Sequence, residues 1–217
     1  MSTDYYSKEN LKHFSKIKNL APEQLKAMLV FDKAVMKEGA LSNKEKEIIA
    51  LAIAHVTECP YCIDTHTKGA KKAGATLEEL AEAVFVTAAV EAGGAITHST
   101  HVINALSEDA SDVLYERSNL KNVSQIGKYA EEAFNGYKAF SDTAVKEGKL
   151  SAKFKEIIAV AVAHASQCPY CIDVHAKNAK RLGVTNEEMA EAIMVTALLR
   201  TGGAYAHLAN TIQSYEE

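Results

Sequence analysis

The chain of 217 residues contains a tandem sequence repeat, and this duplication is the feature that most limits its fold. A shift of 109 residues superimposes the motif Cys-Pro-Tyr-Cys at 59–62 on a second copy at 168–171. From Lys37 to His98, 38 of 62 aligned positions are identical, without a gap. The fold must therefore contain two similar units of about 100 residues each, the size of a small domain. The predicted ranges are 1–106 for the first repeat, 107–124 for the connection and 125–217 for the second repeat.

Both repeats are predicted to be helical. Ser42 is followed three residues later by Glu45, the pattern of a capping box at a helix start. Apolar residues then recur at helical spacing, and no segment alternates with period two over a useful length. Further capping boxes are predicted at Thr76 with Glu79 and at Thr185 with Glu188. The predicted fold class is all-α, with two tandem repeats of five or six helices packed together.

Glycines suggest where these helices end. Four of them occupy positions where helix C-caps are expected, where a left-handed backbone favours glycine. They are Gly39, Gly74, Gly148 and Gly183. The pair Gly93-Gly94 and its second copy are expected to kink or divide the last long helix and to allow close packing there.

Charge and composition exclude several partners. The formal charge is −4 and the pI about 6.1, so no basic surface for nucleic acid or an anionic membrane is expected. The first ten residues are polar, unlike a signal peptide, and no apolar stretch was expected to reach the ~20 residues of a membrane span. We therefore expect a cytoplasmic protein, where structural disulfides are rare. Paired cysteines in that compartment indicate catalysis or metal binding.

The cysteine motif has a physical interpretation. Pro60 favours the first helical position, which puts Cys59 at the N-cap and Cys62 near the third position. Both sulfurs then lie at the positive end of the helix dipole, which favours thiolate. His66 lies one turn beyond Cys62 on the same helical face and is a candidate acceptor for its proton.

Glu47 lies on the preceding helix, twelve residues before Cys59, among apolar residues. A carboxylate there is expected to orient His66 and raise its basicity, directly or through a water. The same set recurs in the second copy. Its members are Glu156, Cys168, Cys171 and His175.

These residues resemble a known family. The spacing Glu, eleven residues, Cys-x-x-Cys-x-x-x-His matches the alkylhydroperoxidase D-like proteins of the carboxymuconolactone decarboxylase superfamily in both "EIIALAIAHVTECPYCIDTH" (47–66) and "EIIAVAVAHASQCPYCIDVH" (156–175). The similarity covers nearly all of each repeat. "YYSKENLKHFSKI" near the start also resembles, more loosely, peroxidase-like proteins associated with arsenosugar biosynthesis.

The resemblance implies an all-helical peroxidase of peroxiredoxin type, similar to an alkyl hydroperoxide reductase, that reduces hydroperoxides. It implies no cofactor and no metal. It also implies a trimer for a fused pair, and an external dithiol or protein as electron donor, a lipoyl-bearing protein being one candidate.

Residue roles carry over from the family motif. Cys62 and Cys171 would attack the peroxide, Cys59 and Cys168 would form the disulfide, and the pairs Glu47–His66 and Glu156–His175 would relay protons. The best-known members also have a histidine between the cysteines, where this chain has Tyr61 and Tyr170, so that imidazole has no counterpart here.

Alternatives follow from the same residues. The N-cap position favours Cys59 as the more acidic thiol, whereas the neighbouring His66 favours Cys62. Two Cys, one His and one Glu could hold zinc, or the thiols could carry a soft metal or a trivalent arsenical. A decarboxylase or lactone-opening activity is disfavoured because that chemistry does not use a cysteine pair. His98 and His207, just after the Gly-Gly pairs, could reach a subunit interface or the site.

Overall fold

The computed structural model describes residues 6–216. Residues 1–5, the start of the polar N-terminal segment and of the first predicted repeat, lie outside the described residues, as does residue 217. The described chain consists of ten α-helices, two 3-10 segments and no strand, which confirms the all-α prediction with two tandem repeats. The helices are α1 Phe14–Leu20, α2 Pro22–Val35, α3 Asn43–Val56, α4 Pro60–Lys72, α5 Leu77–Ala105, α6 Val123–Tyr129, α7 Glu131–Ala144, α8 Ala152–Ala165, α9 Pro169–Arg181 and α10 Asn186–Glu216.

The duplication is visible helix by helix. Every helix from α1 to α5 begins 109 residues before its counterpart among α6 to α10. The 3-10 segments Lys8–His13 and Arg117–Asn122 are offset by the same amount. Arg117–Asn122 falls inside the segment 107–124 that the sequence assigns to the connection, and it is the structural counterpart of the first repeat's N-terminal turn.

Local capping signals were predicted correctly. Ser42 and Glu45 form a reciprocal capping box at α3, and Thr76 and Glu79 form one at α5. At the start of α10, the Thr185 N–H donates to Glu188 at 2.8 Å and the Glu188 N–H donates back to the threonine hydroxyl at 3.1 Å. These bonds satisfy backbone donors that a helix start leaves unpaired.

Two predictions about glycine were wrong. Gly74 and Gly183 do have the left-handed backbone of a helix end, with φ of 91° and 77°. Gly39 does not; a Cβ there would lie 2.1 Å from a carboxylate oxygen of Glu191, in the other repeat, so this glycine provides space for that side chain. Gly148 receives Glu82 in the same way. The Gly-Gly pairs do not interrupt α5 or α10, because the helices remain continuous through them.

The core is built around α3 and α8. Both helices are apolar on almost all sides, which is typical of a buried helix, and their central residues are buried. The long helices α5 and α10 each pack against both of them. The cysteine helix α4 of the first repeat packs on α10 of the second repeat, and α9 packs on α5. Each cysteine helix is therefore covered by the long helix of the other repeat.

Within residues 6–216, one helix is long and apolar enough to span a membrane, contrary to the expectation from sequence. It is α5, and 44% of its most apolar window is buried inside the protein. Its contacts with α3, α7 and α8 are those of a core helix.

Candidate active site

Each cysteine motif opens a helix, as its spacing predicts. Cys59 is the N-cap of α4, with extended backbone, and Pro60 is the first helical residue. The Cys59 sulfur accepts the backbone N–H of Cys62 at 3.3 Å. In the second copy, Cys168 accepts the N–H of Cys171 at 3.2 Å. A sulfur atom thus takes the position that a serine or aspartate oxygen occupies in an ordinary N-cap, and it faces the positive end of the helix.

A tight turn delivers each cysteine to this position. Glu58 and Gln167, directly before the cysteines, have positive φ values of 52° and 58°. The Cys59 N–H donates to the Ala54 carbonyl at 3.2 Å, and the Cys168 N–H makes the equivalent bond at 3.1 Å. This is the six-to-one bond of a Schellman motif, with a residue other than glycine at the left-handed position. The turn fixes the direction from which the chain enters the cysteine helix.

The two sulfurs of a pair differ electrostatically. The pKa of the Cys59 thiol is lowered to about 5, chiefly by a hydrogen bond from the Cys62 thiol and then, against burial, by the Cys62 N–H and by His207. The same bond, together with burial, raises the pKa of Cys62. Cys168 and Cys171 repeat this division, and the pKa of Cys168 is also about 5. Near neutral pH each pair therefore holds one proton, and the negative charge lies on the N-cap sulfur.

The predicted carboxylate–imidazole pairs are present in the structure. The Nδ1–H of His66 donates to Oε2 of Glu47 at 2.8 Å, and that of His175 donates to Glu156 at the same distance. This bond leaves Nε2 of each ring as the atom free to exchange protons. Among residues 6–216, no hydrogen bond joins either of these histidines to a cysteine sulfur.

A cavity of about 330 Å³ opens onto the first pair. Cys62, His66 and Tyr61 line it from α4, and Asp32 lines it from α2. Cys59 is fully buried beside it and is not part of the lining. The remaining walls are mostly apolar and come from both repeats: Leu11, Phe14, Met28, Leu29, Leu198, Leu199, Gly202, Tyr205 and Ala206, together with Thr65. The sulfur that a small molecule can reach is therefore the one that carries the proton.

Each site is completed by the other repeat, which sequence reasoning did not identify. The ring of His207, on α10, lies 6.2 Å from the ring of Tyr61 and contributes to the low pKa of Cys59. His98, on α5, lies 6.3 Å from Tyr170 and has the same effect on Cys168. The sequence left open whether these histidines reach a subunit interface or the site, and in the structure each lies at a site. Their recurrence after each Gly-Gly pair was the available signal, but spacing could not show that the repeats exchange them.

Further polar contacts around the sulfurs and tyrosines were not predicted from the sequence. The hydroxyl of Thr97 lies 3.6 Å from the sulfur of Cys168 and 3.9 Å from that of Cys171. The amides of Asn10 and Asn119 donate to the hydroxyls of Tyr61 and Tyr170 at 3.4 and 3.3 Å. Tyr170 also donates to the Leu114 carbonyl at 3.0 Å. These contacts hold the tyrosines in place beside the sulfur pairs.

Other side chains with ligand or proton chemistry have structural roles. His55 and His164 donate to carbonyls in their own helices at 2.9 and 2.8 Å, as expected for core histidines. No group of three or more His, Cys, Asp or Glu side chains forms a metal-binding cluster in residues 6–216. The four described cysteines are free thiols.

Comparison with known proteins gives a consistent family result. The sequence model of the Carboxymuconolactone decarboxylase family matches residues 22–105 and 131–213. "Uncharacterized protein 4 in cox locus" of Paracoccus denitrificans is 45% identical over 82 residues, which are 38% of this chain and 74% of that protein. An uncharacterized protein of Haemophilus influenzae is 36% identical over 95 residues, 44% of this chain and 84% of that protein. The crystal structure of a "putative gamma-carboxymuconolactone decarboxylase subunit" from Burkholderia xenovorans aligns with a TM-score of 0.69 at 21% identity, over 94% of this chain and 90% of that one.

Proposed function

Because the chain belongs to the carboxymuconolactone decarboxylase family, an enzyme family, and carries a cysteine pair with a Glu–His pair in each repeat, we propose that it is a thiol-dependent peroxidase. The observation that carries this proposal is the geometry at Cys59 and Cys62. A thiolate and a thiol share one proton at a helix N-terminus, and the thiol faces a cavity that His66 also lines. Thiolate character and access to a thiol both favour two-electron exchange between a dithiol and a disulfide.

The first chemical step is an attack on the peroxide. The Cys62 sulfur attacks the outer oxygen of the hydroperoxide, the O–O bond breaks, and Cys62 becomes a sulfenic acid. Its thiol proton passes to the Cys59 thiolate. Nε2 of His66 takes up a proton from solvent and passes it to the alkoxide that leaves, while Glu47 holds the ring in position through the bond at Nδ1. The products of this step are an alcohol and a Cys62 sulfenic acid beside a Cys59 thiol.

The second step closes the disulfide. The Cys59 sulfur attacks the sulfur of the sulfenic acid, and hydroxide leaves with the Cys59 proton as water. The pair has then lost two electrons, and the peroxide has become an alcohol and water. An external dithiol, free or carried by a lipoyl-bearing protein, returns two electrons by thiol–disulfide exchange and is itself oxidised to a disulfide. The second repeat supplies the same parts in Cys171, Cys168, His175 and Glu156.

Assigning the attack to Cys62 rests on access, and assigning the charge to Cys59 rests on hydrogen bonding. Cys62 lines the cavity, whereas Cys59 is fully buried. Cys59 then acts as the base that removes the Cys62 proton at the moment of attack. Cys62 can therefore remain a thiol until the peroxide arrives. In the second step Cys59 loses that proton to the departing hydroxide, and its sulfur is the nucleophile that closes the disulfide.

A thiol count on the reduced, metal-free protein tests the proposal. After a slight excess of an organic hydroperoxide, we expect rapid loss of four thiols per chain and recovery with a dithiol reductant. The double variant Cys62→Ser, Cys171→Ser should show no catalytic turnover while it keeps its helical circular dichroism. Four thiols still free after minutes, or full turnover in the double variant, would overturn the proposal.

The same preparation tests the binding alternative. Stoichiometric, tight uptake of Zn²⁺ or a trivalent arsenical without peroxide turnover would identify a carrier. We prefer redox chemistry because no group of three or more His, Cys, Asp or Glu side chains in residues 6–216 has the arrangement that would hold a metal ion. We also propose a homotrimer, for which light scattering should give three times the mass of the 23.5 kDa chain.

A further inference from the structure

The two sites have the same catalytic residues but different walls. Gly202 lines the cavity of the first site, and a Cβ added there would meet no atom within 4 Å. Its counterpart in the second site is Gly93, where a Cβ would lie 2.7 Å from the hydroxyl oxygen of Tyr137. The space that is open at the first site is therefore occupied by a tyrosine at the second.

Most of the wall of the open site is apolar, with Asp32 and His66 among its ionisable lining residues. Met28 lines its cavity at the position that corresponds to Tyr137, and Ala206 lines it at the position of Thr97. Phe14 and Tyr205 stack at a centroid distance of 5.0 Å and both line the same cavity. At the second site the equivalent positions are Val123 of the second repeat and Ile96 of the first, so the aromatic wall has no counterpart there.

The second site is narrower at Gly93 and has a hydroxyl group in contact with its sulfurs. Burial raises the pKa of Tyr137, so the tyrosine presents a neutral hydroxyl beside Gly93. The hydroxyl of Thr97 contacts both sulfurs. Asn178 donates to Glu156 at 3.1 Å, whereas the first repeat has Gly69 at this position. The hydroxyl groups of Tyr137 and Thr97 therefore stand at the second site where the first site has the side chains of Met28 and Ala206.

We propose that the two dithiol sites select different peroxides. The first site accepts an apolar organic hydroperoxide in the cavity beside Cys62, and the second site accepts only an oxidant as small and polar as hydrogen peroxide. Tyr137 is the residue that determines this difference. The proposal rests on the peroxidase function proposed above and adds no new chemical step, because each site performs the same two-electron oxidation of its own cysteine pair.

The direct test follows each pair separately in the intact chain. The reduced protein is mixed with hydrogen peroxide or with cumene hydroperoxide, quenched by acid and alkylated. Mass spectrometry then quantifies the tryptic peptides 47–68 and 156–177, which carry the two pairs and differ in sequence. We expect the ratio of the cumene hydroperoxide rate to the hydrogen peroxide rate to be about 10-fold or more higher for the first pair. Equal ratios at the two pairs would overturn the proposal.

A second measurement separates this proposal from the peroxidase function. N-methylmaleimide and N-phenylmaleimide share one thiol-reactive group and differ in apolar bulk. The measured quantity is the ratio of the N-phenylmaleimide rate to the N-methylmaleimide rate at each cysteine. We expect this ratio to be about 10-fold or more lower at Cys171 than at Cys62. If no peroxide oxidises the protein but this difference is present, the peroxidase proposal fails and the difference between the sites stands. If both pairs discriminate alike, the difference between the sites is refuted whatever the peroxide result.

Variants at Tyr137 and Met28 assign the cause. Tyr137→Met should raise the relative phenyl reactivity of Cys171 towards that of Cys62, whereas the matched control Tyr137→Phe, which keeps the ring, should not. Met28→Tyr should place the same obstruction in the first site and lower the relative reactivity of Cys62, so the test remains decisive if one variant fails to fold. No change in either direction would show that Tyr137 does not set the selectivity.

Discussion

Charge and access are separated between two neighbouring sulfurs. Cys59 carries the negative charge because its sulfur accepts two hydrogen bonds at the start of α4, one from the Cys62 thiol and one from the Cys62 N–H. Cys62 carries the proton and reaches the cavity. The Cys-Pro-x-Cys spacing was enough to predict that Cys59 is the N-cap. It could not decide which sulfur a substrate meets, because that depends on how α10 covers the helix.

The thiolate should be visible in a pH titration. We expect the absorbance of the reduced protein at 240 nm to rise with a midpoint near pH 5 and an amplitude of two thiolates per chain, because the pKa values of Cys59 and Cys168 are about 5. Above that pH the native state holds two thiolates, and below it both become thiols. The double variant Cys59→Ser, Cys168→Ser is the control and should lack this step. A single midpoint near the ordinary thiol value of about 8.5 would contradict the assignment.

The proton relay is also testable at single residues. Glu47→Gln keeps an oxygen that can accept the Nδ1–H of His66 but removes the charge that stabilises an imidazolium. We expect oxidation of the first pair by hydroperoxide to slow by about 10- to 100-fold, while the matched variant Glu156→Gln slows only the second pair. Peptide-resolved thiol alkylation distinguishes the two. An unchanged rate at the first pair would exclude Glu47 from the relay.

At the scale of the helix, local sequence signals predicted starts better than ends. The capping boxes at α3, α5 and α10 lie within four consecutive residues, so their chemistry can be recognised without knowing the fold. Gly39 and Gly148 looked like helix ends but provide room for carboxylates more than 60 residues away in sequence. The Gly-Gly pairs suggested a possible division of the last helix, yet α5 and α10 each run unbroken through their pair.

The turn before each cysteine gives a prediction at this scale. Glu58 has a φ of 52°, a left-handed backbone that a β-branched residue adopts at a cost of about 1–2 kcal/mol and glycine adopts freely. We expect Glu58→Val to lower the free energy of unfolding by about 1–2 kcal/mol relative to Glu58→Gly, with urea unfolding as the measurement. The matched pair at Gln167, whose φ is 58°, should behave alike. Equal stabilities of the valine and glycine variants would mean that the turn rearranges.

At the scale of the whole molecule, the long helix of each repeat packs on the cysteine helix of the other repeat. The sequence predicts the duplication and its offset, because identical residues at a fixed spacing are visible without a structure. It does not predict that α4 packs on α10 and α9 packs on α5. A copy paired with itself would satisfy the same hydrophobic pattern. For this reason His207 and His98 were not assigned to particular sites, and Tyr137 was not recognised at all.

Two glutamates, one in each repeat, bind backbone N–H groups and a lysine of the other repeat and so stabilise the packing of the repeats. Glu191, on α10, accepts the N–H groups of Ala40 and Leu41 at 2.9 Å each and lies 3.0 Å from the ammonium of Lys46. Lys46 is 2% exposed and also donates to the Val35 carbonyl at 3.0 Å. Glu82 makes the equivalent contacts with Lys149, Leu150 and Lys155 in the other direction.

Removing one of these carboxylates should destabilise the whole chain. Glu191→Ala leaves the Lys46 charge buried without its counterion, and we expect a loss of about 3 kcal/mol in urea unfolding of the reduced protein at pH 7. Glu82→Ala should give a similar loss, whereas Glu108→Ala, on the exposed connection, should stay within about 0.5 kcal/mol of the parent. A loss below about 1 kcal/mol for both crossing carboxylates would show that the repeats are held together by apolar packing alone.

The pH dependence of that loss provides an independent check. Burial opposes the charge on Glu191, but the bonds from Leu41, Ala40 and Lys46 outweigh it and hold the carboxyl pKa below its ordinary value. A carboxylate with a lowered native pKa stabilises the fold fully above its unfolded pKa of about 4.3, and this contribution is lost as the pH falls through the native value. The stability difference between the parent and Glu191→Ala should therefore be constant from about pH 6 to 8 and shrink below about pH 4. A difference that persisted unchanged in acid would show that the lost side-chain packing, rather than the charge on Glu191, links the two repeats.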